Sequence, residues 1–338
     1  MGSDLRSLPK VELHRHLEGT VRLSTILDLA REAGAALPAD TAEGLGPFAQ
    51  ILEPVASLEE ALERFALAQG SFRSYEAVRR IAFEAVEDLS RDNVRLAELR
   101  FSPDFLCGPG GLDWDRAMDA ILDGIERARS AGHDVAVGLI AITSRNLGID
   151  SAKRTVEFTL RHREHLVGFD IAGPELGYPP ATYADVLKPI RDGGIPLTTH
   201  YGESGPPEYP REAIEALGTM RLGHGVSVAL DPTVTELAIE RGVTLEMCPT
   251  SNWLTQAVPT MADHPARRLL REGARVTINT DNPGLFALDL THELEVARDE
   301  IGFTEGDLRA ATRNAVEASF LPEEVKAEAL AGPFAWVR

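Results

Sequence analysis

Cysteine, basic charge and long apolar runs are all scarce in this chain, and each shortage excludes something. Only Cys107 and Cys248 occur in 338 residues, so neither a disulfide framework nor a thiolate zinc cluster can form, which suits a reducing cytoplasm. Lys and Arg number 34 against 53 Asp and Glu, a formal charge of −19 that repels phosphate backbones and anionic lipid headgroups. Nucleic acid and membrane surfaces are therefore excluded as partners. No run of about 18 uncharged apolar residues is present, and the opening residues lack the basic start and apolar stretch of a signal peptide. A cytoplasmic protein is expected. There is no composition shift and no repeat, so residues 1–338 read as one domain. Hydrophobic residues still make up 43% and charged residues 26%, enough for a packed core.

Short β-rich runs, each followed by a polar or glycine-containing turn and a helical pattern, occur at residues 11–16, 94–101, 135–142, 166–172, 195–200, 220–224, 243–248 and 275–281. Strand alternating with helix implies parallel pairing, and eight such units point to an α/β fold, a closed (β/α)₈ TIM barrel. Leu23, Ile26, Leu27 and Ala30 recur at helical spacing, and Gly34 can end that helix in a left-handed cap. Ser57 and Glu60 read as a capping box opening a second helix that runs through Gln69. Roughly 75 residues separate the first two strands, more than a crossover needs, which predicts a helical insertion over the barrel mouth. Segments 107–112 and 202–210 read as mobile loops.

His14 and His16 flank Arg15 on the first strand, so alternation turns both imidazoles to one face about 7 Å apart. His200 and His224 close the fifth and sixth strands and Asp281 the eighth. All five groups thus fall at strand C-termini, the face where barrel enzymes gather catalytic residues. Three imidazoles and one carboxylate, without thiolate, suit a borderline divalent ion such as Zn²⁺ with a position left for water. Glu203, three residues past His200, can serve as a proton donor or acceptor beside that ion. Gly173, at the end of the fourth strand, lets backbone approach a ligand. His133, His162, His165, His264 and His292 fall at helix ends, in turns or in a late helix, and are expected to be solvated or capping.

Taken in order, Leu8-Pro9-Lys10-Val11-Glu12-Leu13-His14-Arg15-His16-Leu17-Glu18-Gly19, Asp170-Ile171-Ala172-Gly173, His200-Tyr201-Gly202-Glu203, Arg221-Leu222-Gly223-His224-Gly225, Cys248-Pro249-Thr250-Ser251-Asn252 and Asn279-Thr280-Asp281-Asn282-Pro283 resemble the adenosine/adenine deaminase family of the amidohydrolase superfamily. The resemblance spans nearly the whole chain. It implies one zinc ion per chain held by His14, His16, His200 and Asp281, and hydrolytic deamination of a small 6-aminopurine. Glu203 would protonate N1, His224 would orient the attacking water and take or share its proton, and the Gly173 amide would meet N3.

Three departures from the family pattern bear on the substrate. Asn282 stands where a second acid is usual, and an amide can donate to purine N7 where an Asp must first be protonated. Glu18 replaces the Asp that contacts a ribose, and Tyr201 replaces a small residue, which predicts an altered pocket around the 9-substituent. The substrate is expected to be adenosine or an adenosine-like nucleoside, with aminodeoxyfutalosine and free adenine as alternatives. A binuclear hydrolase is disfavoured because the fourth strand lacks a bridging Lys. A non-catalytic nucleoside-binding protein is disfavoured because no candidate ligand or acid is lost. Homo-oligomerisation is left open by the sequence.

Overall fold

The computed structural model describes residues 4–55 and 58–337. Eight parallel strands appear in the expected order: β1 Lys10–His16, β2 Val94–Phe101, β3 Ala136–Ser144, β4 Gly168–Ala172, β5 Thr198–His200, β6 Arg221–Gly223, β7 Thr244–Met247 and β8 Arg275–Ile278. They pair as two sheets of four, β1 to β4 and β5 to β8, each in sequence order. Two seams join the halves into the barrel. The Asp281 amide donates to His14 O at 2.8 Å and the His16 amide to Asp281 O at 2.9 Å, while the Phe169 amide donates to Pro196 O at 2.9 Å.

Alternation on β1 explains how the barrel is filled. Val11 and Leu13 pack outward against Ala315, Val316 and Phe334 of the C-terminal helices. The opposite face of the strand carries Glu12, His14 and His16 inward, where Arg100, Asp170, Arg221 and Glu246 are also buried. A barrel interior this polar stays closed only because its charges pair. Arg100 binds Asp170 and Glu246 at 2.9 and 2.8 Å, and Arg221 binds Glu98 at 2.5 Å.

Between β1 and β2 stand four helices, α1 Leu23–Ala33, α2 Ala42–Ala49, α3 Leu58–Gln69 and α4 Tyr75–Arg91. Gly34 ends α1 at φ +65°, the left-handed cap its position predicts. The helix expected from Ser57 to Gln69 is α3, but its capping box, Ser57 with Glu60, lies outside the described residues. Ala61, Phe65 and Gln69 of α3 line the cavity at the barrel mouth, so the insertion does roof it. No helix among the described residues is long and apolar enough to cross a membrane.

Three expectations need correcting. Segment 202–210 is no mobile loop, because Glu175 accepts hydrogen bonds from the amides of Gly202, Glu203, Ser204 and Gly205 at 2.7 to 3.1 Å and ties it to the end of β4. Tyr201 does not reach the cavity; its ring lies fully buried under Arg145 and its hydroxyl donates to Tyr178 O at 3.1 Å. Segment 107–112, also read as a loop, continues a short helix, Pro103–Cys107, into a 3₁₀ turn at Gly108–Gly110.

Candidate active site

The strand ends converge on a cavity of about 280 Å³ lined by His16, Glu18, Gly173, His200, Glu203, His224, Asp281 and Asn282, with Ala61, Phe65, Phe105, Leu285 and Phe286 as its apolar wall. Every candidate catalytic, metal-ligating or substrate-contacting residue read from the sequence therefore lines this cavity except His14. His14 is fully buried just beneath, where its ring centroid lies 4.5 Å from that of His200.

His14 and His200 owe their orientation to carboxylates. Nδ1 of His14 meets Glu246 Oε2 at 2.8 Å, and Nδ1 of His200 meets Asp170 Oδ1 at 3.1 Å. Arg100 binds both carboxylates, and its charge helps hold Asp170 and Glu246 well below the usual carboxylate range despite burial. With Nδ1–H donated to a carboxylate, each ring turns an Nε2 lone pair to the centre. There the Nε2 of His14 is buried without any hydrogen-bond partner. An orphaned acceptor of this kind, among further imidazoles and a carboxylate, fits a metal ion. Asp281 supplies that carboxylate, at 3.2 Å from His16 Nε2 and 3.6 Å from His14 Nε2, with its other oxygen accepting from Ser251 Oγ at 2.7 Å. His16 Nε2 lies 3.1 Å from His200 Nε2.

One ligand atom from each of His14, His200, His224 and Asp281 also falls within 4.8 Å of the others, so distance alone admits His224. Hydrogen-bond polarity argues against it. The Ala266 amide donates to His264 Nδ1 at 3.2 Å, and deep burial pushes the His264 pKa down to about 3, so this ring is neutral and carries its proton on Nε2. That proton goes to Asn252 Oδ1 at 3.1 Å, which fixes the amide and directs Asn252 Nδ2 to donate to His224 Nδ1 at 2.9 Å. His224 Nδ1 is thereby an acceptor, and the neutral ring holds its proton on Nε2, facing the cavity. His264, expected to be solvated or capping, is corrected by this finding. It is buried because the turn at Met261–Asp263 packs against the short helix Pro249–Leu254 that carries Asn252, a tertiary effect with no local signal. His133, His162, His165 and His292 line no part of the cavity.

His224 and Asp281 sit at φ +62° and +61°, a left-handed backbone that side chains other than glycine adopt only where the surroundings hold them. Both residues lie just past short strands, and the strained turn aims each side chain across the barrel end. Glu203 is buried, accepts from Thr255 Oγ1 at 3.3 Å and has Oε2 at 3.7 Å from His224 Nε2. Burial, with the charges of Asp281 and Glu175 nearby, pushes its pKa up to about 8, so it holds a proton at neutral pH. Burial raises Glu18 to about 7, and its Oε1 accepts from the Ser102 amide at 2.7 Å. Gly173 adopts φ +95°, where a Cβ would come within 2.9 Å of Asn146 Oδ1. Asn282 donates from Nδ2 to Asp281 Oδ1 at 2.7 Å.

Residues 9–332 match the family model described as adenosine deaminase. The chain is 39% identical to the adenosine deaminase of Shewanella loihica over 317 residues, covering 94% of this chain and 96% of that one. Among solved structures, the adenine deaminase of Arthrobacter aurescens superposes with a TM-score of 0.90 at 25% identity, covering 98% of this chain and 99% of that chain. An amidohydrolase of Burkholderia ambifaria with bound Zn superposes with a TM-score of 0.88 at 27% identity, covering 99% and 93%.

Proposed function

The chain belongs to the adenosine deaminase family, hydrolases that act on C–N bonds, and from that premise we propose that it releases the 6-amino group of adenosine or an adenosine-like nucleoside as ammonia and leaves the 6-oxopurine. One observation carries this reading. A carboxyl that keeps its proton, Glu203, and an imidazole that presents one, His224, face the same enclosed cavity as the orphaned imidazole nitrogen of His14.

His14, His16, His200 and Asp281 would hold one Zn²⁺. The protonated Nε2 of His224 has no lone pair to give, which favours His16 as the third imidazole. Bound there, zinc makes water available as hydroxide near neutral pH. Glu203 gives its proton to N1 as a water oxygen adds to C6, and recovers one from that water. The same carboxyl then protonates the amino nitrogen. The C6–N bond breaks with its electron pair leaving on ammonia, and the C6 hydroxyl proton returns to Glu203 as the carbonyl forms. His224 donates from Nε2 to the incoming oxygen and holds it in line, rather than taking its proton. The Gly173 amide meets N3, Asn282 faces N7 and Glu18 lies toward the 9-substituent.

A second reading, free adenine as substrate, draws support from the small cavity, its apolar wall and a Glu18 already engaged by Ser102. Ammonia release from adenosine, adenine and aminodeoxyfutalosine at equal concentration separates the readings. We expect kcat/KM to be largest for a nucleoside. A larger value for adenine selects the second reading, and no release from any of them overturns the function.

A further inference from the structure

We propose that the outer flank of β1 carries a second binding site, for a small oxyanion of the phosphate class, built on Arg15. The alternation that turns His14 and His16 into the barrel turns Arg15 the other way. Its side chain lines a cavity of about 580 Å³ between β1, the start of α1 and the segment after β8. Arg15 is only 4% exposed, yet among the described residues its guanidinium has neither a hydrogen bond nor an ion-pair partner, and its Nε is sealed from solvent. A buried guanidinium without a hydrogen-bond or ion-pair partner is costly even with the carboxylates of Glu12, Asp88, Asp92 and Asp289 acting on it from a distance, and native proteins rarely leave one unless something binds it.

The carboxylates on the same cavity are committed elsewhere. Asp88 takes Arg22 at 2.5 and 3.0 Å, and Asp289 takes Arg6 at 2.8 Å. Asp92 accepts from the Thr291 amide at 3.1 Å and lies 3.7 Å from Lys10 Nζ. Glu295 stands on the exposed rim. Of the arginines on this cavity, Arg6, Arg22 and Arg91 are paired with carboxylates and Arg15 is not. A second feature points the same way: α1 starts at Leu23 on this wall with no side-chain cap and no acidic residue in its first turn, so no side chain of its own first turn opposes its positive end. A planar guanidinium fork beside an uncapped helix start matches the oxygens of phosphate, free or carried by a nucleotide. The site is separate from the deaminase cavity and independent of the substrate proposed for it.

The test is calorimetric titration of the zinc-loaded enzyme with inorganic phosphate and, separately, with AMP, against sodium chloride at matched ionic strength. One saturable site per chain is expected, with an unfolding temperature that rises with ligand concentration. Arg15→Met should abolish that binding and unfold no earlier than the parent in phosphate-free buffer, because it removes a buried guanidinium that has no hydrogen-bonded partner. Arg15→Lys, which keeps the charge but loses the fork, should weaken binding at least tenfold. Phosphate binding without AMP binding assigns the free ion. AMP binding tighter than phosphate and lost in Arg15→Met assigns the nucleotide. Absence of saturable binding to the parent beyond the chloride control, or equal affinity in Arg15→Met, overturns the proposal.

Discussion

Two groups of histidines meet at the barrel mouth, and they differ in what stands behind them. On the floor, His14 and His200 are backed by Glu246 and Asp170, and Arg100 binds both acids. On the wall, His224 is backed by the amide of Asn252, itself fixed by His264 and the Ala266 amide. Carboxylate backing draws the proton to Nδ1 and turns a lone pair inward. Amide backing receives nothing from Nδ1 and leaves the proton facing the cavity. On the proposed reading one residue type would serve as metal ligand on the floor and as hydrogen-bond donor on the wall, and the choice is made by the partner behind each ring.

The largest expected effect belongs to Glu203, which lies between the two groups. Its carboxyl, raised to about 8 by burial, must be protonated to act as an acid. Activity should therefore hold as pH rises toward 8 and fall through and above it. Glu203→Gln should cost about 10²–10⁴ in turnover, keep its metal and lose that alkaline limb. Rate profiles from pH 6 to 10 with elemental analysis check this. A Gln variant with the parent's profile would reduce Glu203 to a bystander.

Asn252→Asp should turn the wall into a second floor. A carboxylate there accepts from His264 and also from His224 Nδ1, which strips the proton from the cavity-facing Nε2. If His224 acts by donating, kcat should fall about 10²–10³, the usual cost of a lost donor to a developing oxyanion. The ¹⁵N resonances of His224 in labelled holoenzyme should report the exchanged tautomer. Unchanged resonances would show that Asn252 does not set the proton's place.

The reverse exchange is Asp170→Asn. It weakens the hold on the His200 proton and leaves Arg100 with one fewer acid, so zinc affinity should fall about 10–100-fold, as for other groups that orient ligands. Competition with a chelator measures it, and excess zinc should restore most of the rate. Undiminished affinity would mean that the floor is held by packing alone.

How far the sequence disclosed all this follows from which interactions are local. The second strand is found at its observed bounds, residues 94–101, because it is long and regularly patterned. The fifth and sixth overrun, since only three residues of each pair and the flanking β-rich residues belong to turns. His14 and His16 are legible because alternation is a local rule, and the same rule sends Arg15 outward. Glu203 and Asp281 are legible by their place at strand ends. Glu175, which ties down the Glu203 loop from 27 to 30 residues away, and His264, 12 residues from Asn252, are not. Each is an ordinary polar residue in its own neighbourhood, made important by a partner that only the closed barrel supplies.

The smallest effect, and the finest distinction, concerns Asn282 on the seam between floor and wall. Its Nδ2 spends one proton on Asp281 Oδ1 at 2.7 Å and keeps a second for a ligand. The amide is seated against Gly19, where any side chain would overlap its Oδ1, so it has little room to turn away. If that second proton meets N7, 7-deazaadenosine leaves a buried donor unpaired at a cost of about 1–3 kcal/mol, or roughly tenfold or more in kcat/KM. Asn282→Asp can make the same contact only as the protonated acid, beside the charge of Asp281, so its preference for the parent purine should fade as pH rises and the acid ionises. Measuring both substrates with both proteins from pH 5 to 9 reads the two effects together. Equal rates on adenosine and its 7-deaza analogue would detach Asn282 from N7 and leave it to steady Asp281 alone.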